Sequence, residues 1–245
     1  MIRRLALFAA LSALACPAGA AEQTVTFTSA DGCAIEAFYL APSTGAYVFI
    51  NAHGLGSNKS EWGSFQAALR ERGQGYLSLD LRGHGTSLNC GGAAVDYKYF
   101  TKTDWRKVHL DIEAGAAWLR QKGVPAKRMV FCGASVGANL ALKAAAEGKL
   151  KPAAVILLSP GLDYAGVTTE ENYAVKQPFR ILVAASQNDP YAWQSRAWLA
   201  KAARAKGLPV NLLEGKSGHG VNMFTPELMS AIIDWVLKTP ARKSK

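Results

Sequence analysis

Six short, unbroken apolar runs recur along this chain, and they constrain its fold more than any other feature. The first is Tyr47-Val48-Phe49-Ile50, followed by Gly75 to Leu81, Met129 to Cys132, Ala154 to Leu158, Ile181 to Ala185 and Val210 to Leu213. A strand with one wet face alternates apolar and polar residues. A strand covered on both faces is apolar throughout, and such strands belong to a mainly parallel sheet with helices packed on each side. The intervening stretches supply those helices. Trp105, Val108, Ile112 and Leu119 recur on one face of 103–122, which Gly123 and Pro125 stop. An alanine-rich helix carrying Leu140 and Leu142 ends near Gly148, another spans about 192–205, and Thr225-Pro226 provides a cap and a first-turn proline for the last. Only Thr24 to Phe38 alternates, with Asp31-Gly32 in the middle, so an antiparallel hairpin opens the domain. The expected class is α/β.

The chain has 245 residues, 49% of them hydrophobic and 19% charged, which allows a large core and excludes disordered, collagenous and disulfide-scaffold classes. No repeat or linker divides it, and one domain is expected over 21–239. Residues 1–20 read as an export signal: Arg3 and Arg4 are its basic part, Leu5 to Ala15 its apolar part, and Ala18-Gly19-Ala20 its cleavage site. The mature protein would start at Ala21 and be periplasmic or secreted. A lipid-anchored form cut before Cys16 fits less well, because Ala13 stands where leucine is usual. No later apolar run approaches the roughly 20 residues that cross a bilayer.

Removing residues 1–20 takes two arginines and no acid, so the formal charge of +10 becomes +8. Lys238, Arg242, Lys243 and Lys245 lie in or beside a basic tail at 240–245, which leaves the body too mildly charged for a nucleic-acid partner. Three cysteines then remain, so at most one bridge can form within the chain. Cys132 falls in an apolar strand, which leaves Cys33 with Cys90 as the pairing to consider. The histidines are scattered and no Cys-x-x-Cys appears, so no metal site is expected. Phosphate-cradling glycine loops are also missing, and no cofactor is expected.

The chemistry sits in Gly133-Ala134-Ser135-Val136-Gly137, between an apolar strand and the alanine-rich helix. A serine on a very sharp strand-to-helix turn is held in strained backbone geometry, and the positions two before and two after approach so closely that only glycine fits. The turn exposes the hydroxyl of Ser135 and aims the N–H of Val136 at the oxygen of an attacked carbonyl.

On these residues the chain resembles the α/β-hydrolase superfamily, from about Thr24 to Leu237. The resemblance implies a mainly parallel eight-stranded sheet with helices on both faces, and a catalytic order of serine, acid, histidine. Asp189, in Ser186-Gln187-Asn188-Asp189-Pro190, and His219, in Ser217-Gly218-His219-Gly220, follow apolar runs in that order. Imidazole would take the serine proton, and the carboxylate would fix its tautomer. Asp163 is the rival acid. His53-Gly54-Leu55-Gly56 resembles the family's oxyanion loop, which makes the Leu55 N–H the second donor and gives His53 a shaping role. His84, in the segment from Asp80 to Ser87, is read as structural, and His109, beside the apolar face of a helix, as a partly exposed surface residue.

Only about 20 residues separate the fourth apolar run from the fifth, so no large cap domain is expected. The local match is to small serine esterases and dienelactone hydrolases, although the latter use cysteine at the position of Ser135. The expected function is a serine hydrolase acting on a small-molecule ester or thioester. Peptidase-like activity and a noncatalytic binding protein on the same fold are the alternatives.

Overall fold

The computed structural model describes residues 21–170, 179–207 and 209–238; the expected export signal at 1–20 and the basic tail at 240–245 lie outside the described residues. The opening hairpin is formed by β1 (Gln23–Thr28) and β2 (Cys33–Leu40), antiparallel with Phe27 opposite Ile35. Each of the six apolar runs coincides with a strand or overlaps one: β3 (Val48–Ala52), β4 (Gly75–Leu79), β7 (Met129–Ala134), β8 (Ala154–Leu158), β11 (Arg180–Ser186) and β12 (Val210–Gly215). These are the eight expected strands. Two short strands, β5 (Asn89–Cys90) and β6 (Ala93–Ala94), extend the same sheet to ten, and β9 (Asp163–Tyr164) with β10 (Val167–Thr168) forms a separate ribbon.

Across the sheet the order is β12-β11-β8-β7-β3-β4-β2-β5-β6, with β1 paired to β2, and every neighbouring pair from β12 to β4 is parallel. The long central strands β3, β4, β7 and β8 are buried at every position. Burial on both faces is what their unbroken apolar sequences require. Successive side chains serve opposite sides. Val48 and Ile50 join a core with α2 (Lys102–Lys107), α3 (His109–Gln121), α4 (Val136–Glu147) and α5 (Pro190–Ala205), whereas Phe49 joins Trp62, Phe65, Ile232 and Val236 on the side of α1 (Gly63–Glu71) and α6 (Pro226–Leu237).

Two differences from the sequence reading have local causes. The expected helix 103–122 is broken at Val108, where the bonds tighten to a three-residue spacing: Trp105 O accepts from Val108 N at 3.1 Å, and Val108 O from Asp111 N at 3.0 Å. Trp105, Val108, Ile112 and Leu119 nevertheless stay on one buried face. The short helix α1 was not read from the pattern, although Trp62, Phe65 and Leu69 have its spacing and are fully buried.

Cys33 and Cys90 face each other across β2 and β5 and their sulfurs are bonded. Cys132 is free and buried, and burial pushes its thiol well above the usual range. No described helix is long and apolar enough to cross a membrane.

Candidate active site

Everything expected of the site lies at the carboxyl edge of the sheet. Ser135 sits between β7 and α4 with φ 55° and ψ −125°, a conformation that non-glycine residues rarely adopt. The flanking glycines explain how the chain tolerates it. A Cβ at Gly133 would lie 2.0 Å from the carbonyl oxygen of Gly137, and one at Gly137 would lie 2.2 Å from the carbonyl oxygen of Ala52. Any side chain at either position would push α4 away from the sheet.

The loop after β3 crosses in front of this turn, with Gly54 so placed that its Cβ would be 3.5 Å from that of Ser135. His53 is fully buried and shapes the loop: its Nδ1 donates to the carbonyl of Gly54 at 2.7 Å, while its Nε2 accepts from Leu81 N at 3.1 Å. Burial, together with neighbouring His84, drives its pKa down to about 3, so the ring is neutral. Lys59 secures the far end of the loop through Asp80, with Nζ at 2.6 Å from one carboxylate oxygen and its backbone N–H on the other at 2.7 Å. The N–H of Leu55 has no partner among the described residues, and that of Val136, first residue of α4, has no helical carbonyl before it. Leu55 is exposed and Val136 buried.

Asp189 ends the loop after β11 and caps α5, its Oδ1 accepting from Ala192 N at 3.4 Å. Its Oδ2 lies 2.6 Å from Nδ1 of His219, which follows β12. Three further hydrogen bonds hold the histidine loop. Gly220 N donates to Ser159 Oγ at 2.9 Å, Gly218 N to Asn188 Oδ1 at 3.1 Å, and Ser186 Oγ lies 2.6 Å from the carbonyl oxygen of Gly218. Gly220 packs against Ala134, which brings His219 into the cleft beside Ser135. Ser135, His219, Leu55 and Glu61 line one cleft of about 580 Å³.

The rival carboxylate is placed otherwise. Asp163 is exposed in the β9–β10 ribbon, and its Oδ1 accepts from Gly166 N at 2.7 Å inside the ribbon's own turn. Ala165 and Gly166 have φ of 53° and 82°, the two positive values a tight hairpin turn needs. His84 is buried and stacks on Tyr97 with centroids 4.0 Å apart, and His109 is half-buried at the start of α3. Arg82 is engaged with Asp31 and Asp111.

Three residues in or around the cleft were not read from the sequence. Tyr164, on the same ribbon, brings its phenol to the Ser135 hydroxyl, and its ring lies 6.2 Å from that of His219; burial and the nearby Asp189 charge push its pKa up, which keeps it protonated. Buried Asn139 anchors the segment before and after it by donating to the carbonyls of Gly161 at 3.0 Å and Val167 at 2.7 Å. An asparagine four residues after the serine, in an otherwise apolar helix, was the available signal for that anchor. Tyr164 and Glu61 carry no comparable local signal. Among the described residues, no group of three or more His, Cys, Asp or Glu is arranged to hold a metal ion.

Comparison with known proteins agrees with this architecture. A model of the alpha/beta hydrolase family matches residues 48–215, well over half of the chain. No curated protein matches it by sequence. Among solved structures, the Pyrococcus furiosus esterase Pf2001 is similar with a TM-score of 0.71 at 18% identity, over 89% of this chain and 91% of that one. The dienelactone hydrolase of Anabaena variabilis gives 0.66 at 15% identity, over 90% and 97%. Pyrococcus horikoshii acylaminoacyl peptidase gives 0.71 at 14% identity, over 93% of this chain and 43% of that longer one. At such identities the likeness is one of fold.

Proposed function

We propose that this chain, which belongs to the alpha/beta hydrolase family, is a serine hydrolase that cleaves carboxylic esters or thioesters through an acyl-enzyme. The observation that carries the reading is the convergence of a strained, glycine-flanked Ser135 and a hydrogen-bonded Asp189–His219 pair on one cleft. The carboxylate at Nδ1 sets the tautomer that leaves Nε2 free to accept a proton, and it favours the imidazolium that results. Ser135 Oγ then attacks the carbonyl carbon as its proton passes to His219.

The negative charge that forms on the carbonyl oxygen is stabilised by the N–H groups of Leu55 and Val136, both fixed before the reaction starts. His219 returns the proton to the departing alcohol or thiol. Water, deprotonated by the same histidine, releases the acid and restores Ser135. The disulfide between Cys33 and Cys90, with the basic, apolar and small-residue order of residues 1–20, supports export to an oxidising compartment.

A fluorophosphonate tests the reading directly, because it reacts only with a serine activated by its neighbours. The expected result is one adduct, mapped to the peptide holding Ser135 and lost in Ser135→Ala. A folded protein that takes up no adduct would refute the proposal and favour a noncatalytic binding protein.

A further inference from the structure

Glu61 is unused by the mechanism above, yet it lines the same cleft as Ser135 and His219. Its backbone is fixed on both sides. Trp62 is fully buried in the core next to α1, and Lys59 is tied to Asp80, so the short helical turn Lys59–Trp62 presents Glu61 at a set position. Its Oε1 accepts from Gly54 N at 3.1 Å, and the Ser57 hydroxyl also bonds the carboxyl. A carboxylate can accept about four hydrogen bonds, so these two leave acceptor capacity open to the cleft.

The charge is as poorly matched as the lone pairs. Nearby Lys59 spends its ammonium on Asp80 at 2.6 Å and Glu36 at 2.9 Å. Among the described residues lining the cleft, the other ionisable side chain is His219, which the mechanism needs neutral at rest. Burial pushes the Glu61 pKa up, as expected for a carboxyl without a cationic partner.

We propose that Glu61 is a specificity-determining residue that favours esters or thioesters carrying a cation, or an N–H or O–H donor, beside the scissile bond, and disfavours anionic ones. The inference rests on Ser135 being the nucleophile. A carboxylate fixed a few ångströms from a bound substrate interacts with its charge through a partly desolvated cleft, where a single ion pair readily shifts rates by about tenfold. A loop-bracing role alone would predict no dependence on substrate charge. Glutamine separates the two, since it keeps an oxygen for the Gly54 N–H and removes the charge.

The test compares kcat/KM for S-butyrylthiocholine, S-butyryl-propanethiol and S-butyryl-3-mercaptopropionate, whose leaving groups are cationic, neutral and anionic. A second series places the charge on the acyl side, with p-nitrophenyl 4-(trimethylammonio)butyrate against p-nitrophenyl pentanoate. Active sites are counted by fluorophosphonate labelling. We expect the wild-type protein to prefer the cation over its uncharged or anionic counterpart by about tenfold or more in at least one series, and Glu61→Gln to bring that ratio below about threefold. A wild-type enzyme that treats the charges alike overturns the proposal without any variant, as does a ratio that survives Glu61→Gln. Absence of labelling at Ser135 would instead overturn the underlying reading of the nucleophile.

Discussion

Replacing Asp189 with asparagine isolates the contribution of the proposed acid. The carboxylate oxygen lies 2.6 Å from His219 Nδ1, with the Asp189 side chain 14% exposed and that of His219 43% exposed. At an effective dielectric constant of about 20, unit charges at that separation attract by about 6 kcal/mol, and the partial exposure of the histidine reduces this to about 4–5 kcal/mol. Asparagine also presents an amide N–H to Nδ1 if its oxygen keeps the α5 cap, which turns the ring to the tautomer with Nε2 protonated and unable to accept from Ser135. With 1.36 kcal/mol per decade, kcat/KM should fall by about 10³- to 10⁴-fold. Stability should barely change, because asparagine caps helices as well as aspartate does. The control is Asp163→Asn, which retains the oxygen that accepts from Gly166 N and should cost less than about threefold. The assay is steady-state hydrolysis of p-nitrophenyl acetate, checked by the rate of fluorophosphonate labelling and by thermal melting. A loss at Asp189→Asn smaller than tenfold, or a larger loss at Asp163→Asn, would refute the assignment.

Two further outcomes follow from groups outside the proposed triad. His53 has a folded pKa of about 3 against an ordinary 6.5, so between those values the unfolded chain binds a proton that the folded chain does not, and stability falls as the pH drops. Urea melts at pH 8, 6 and 4.5 should show His53→Asn less stable at pH 8 but losing stability less steeply on acidification, by up to about 1.4 kcal/mol per pH unit; parallel curves would refute the neutral, buried ring. The Cys33–Cys90 bond closes a loop with a sequence separation of 57, for which chain entropy predicts about 4 kcal/mol of stabilisation. Alkylation of unfolded, unreduced protein comprising residues 21–245 should label Cys132 alone, and Cys33→Ser with Cys90→Ser should lower the melting temperature; three labelled thiols would disprove the bridge.

What the sequence showed was whatever a few neighbouring residues determine by themselves. The apolar runs declared strands buried on both faces because no polar residue interrupts them. Gly133 and Gly137 declared the sharp turn because their hydrogens face carbonyl oxygens at distances no Cβ can occupy. Thr225-Pro226 declared a helix start, and Thr225 does accept from Leu228 N. What stayed hidden depends on partners brought together across the chain. Ser159 holds the histidine loop from 61 residues away, and it does so with φ of 49°, a conformation its residue type does not announce. Tyr164 reaches Ser135 because Ala165 and Gly166 turn the ribbon back and Asn139 fastens it. The same turn occupies the Asp163 carboxylate with the Gly166 N–H. Two acids that look equivalent in sequence, each a few residues beyond an apolar strand, are therefore separated by local hydrogen bonding: one serves the backbone of its own hairpin, and the other is held at the start of a helix with an oxygen left to meet His219.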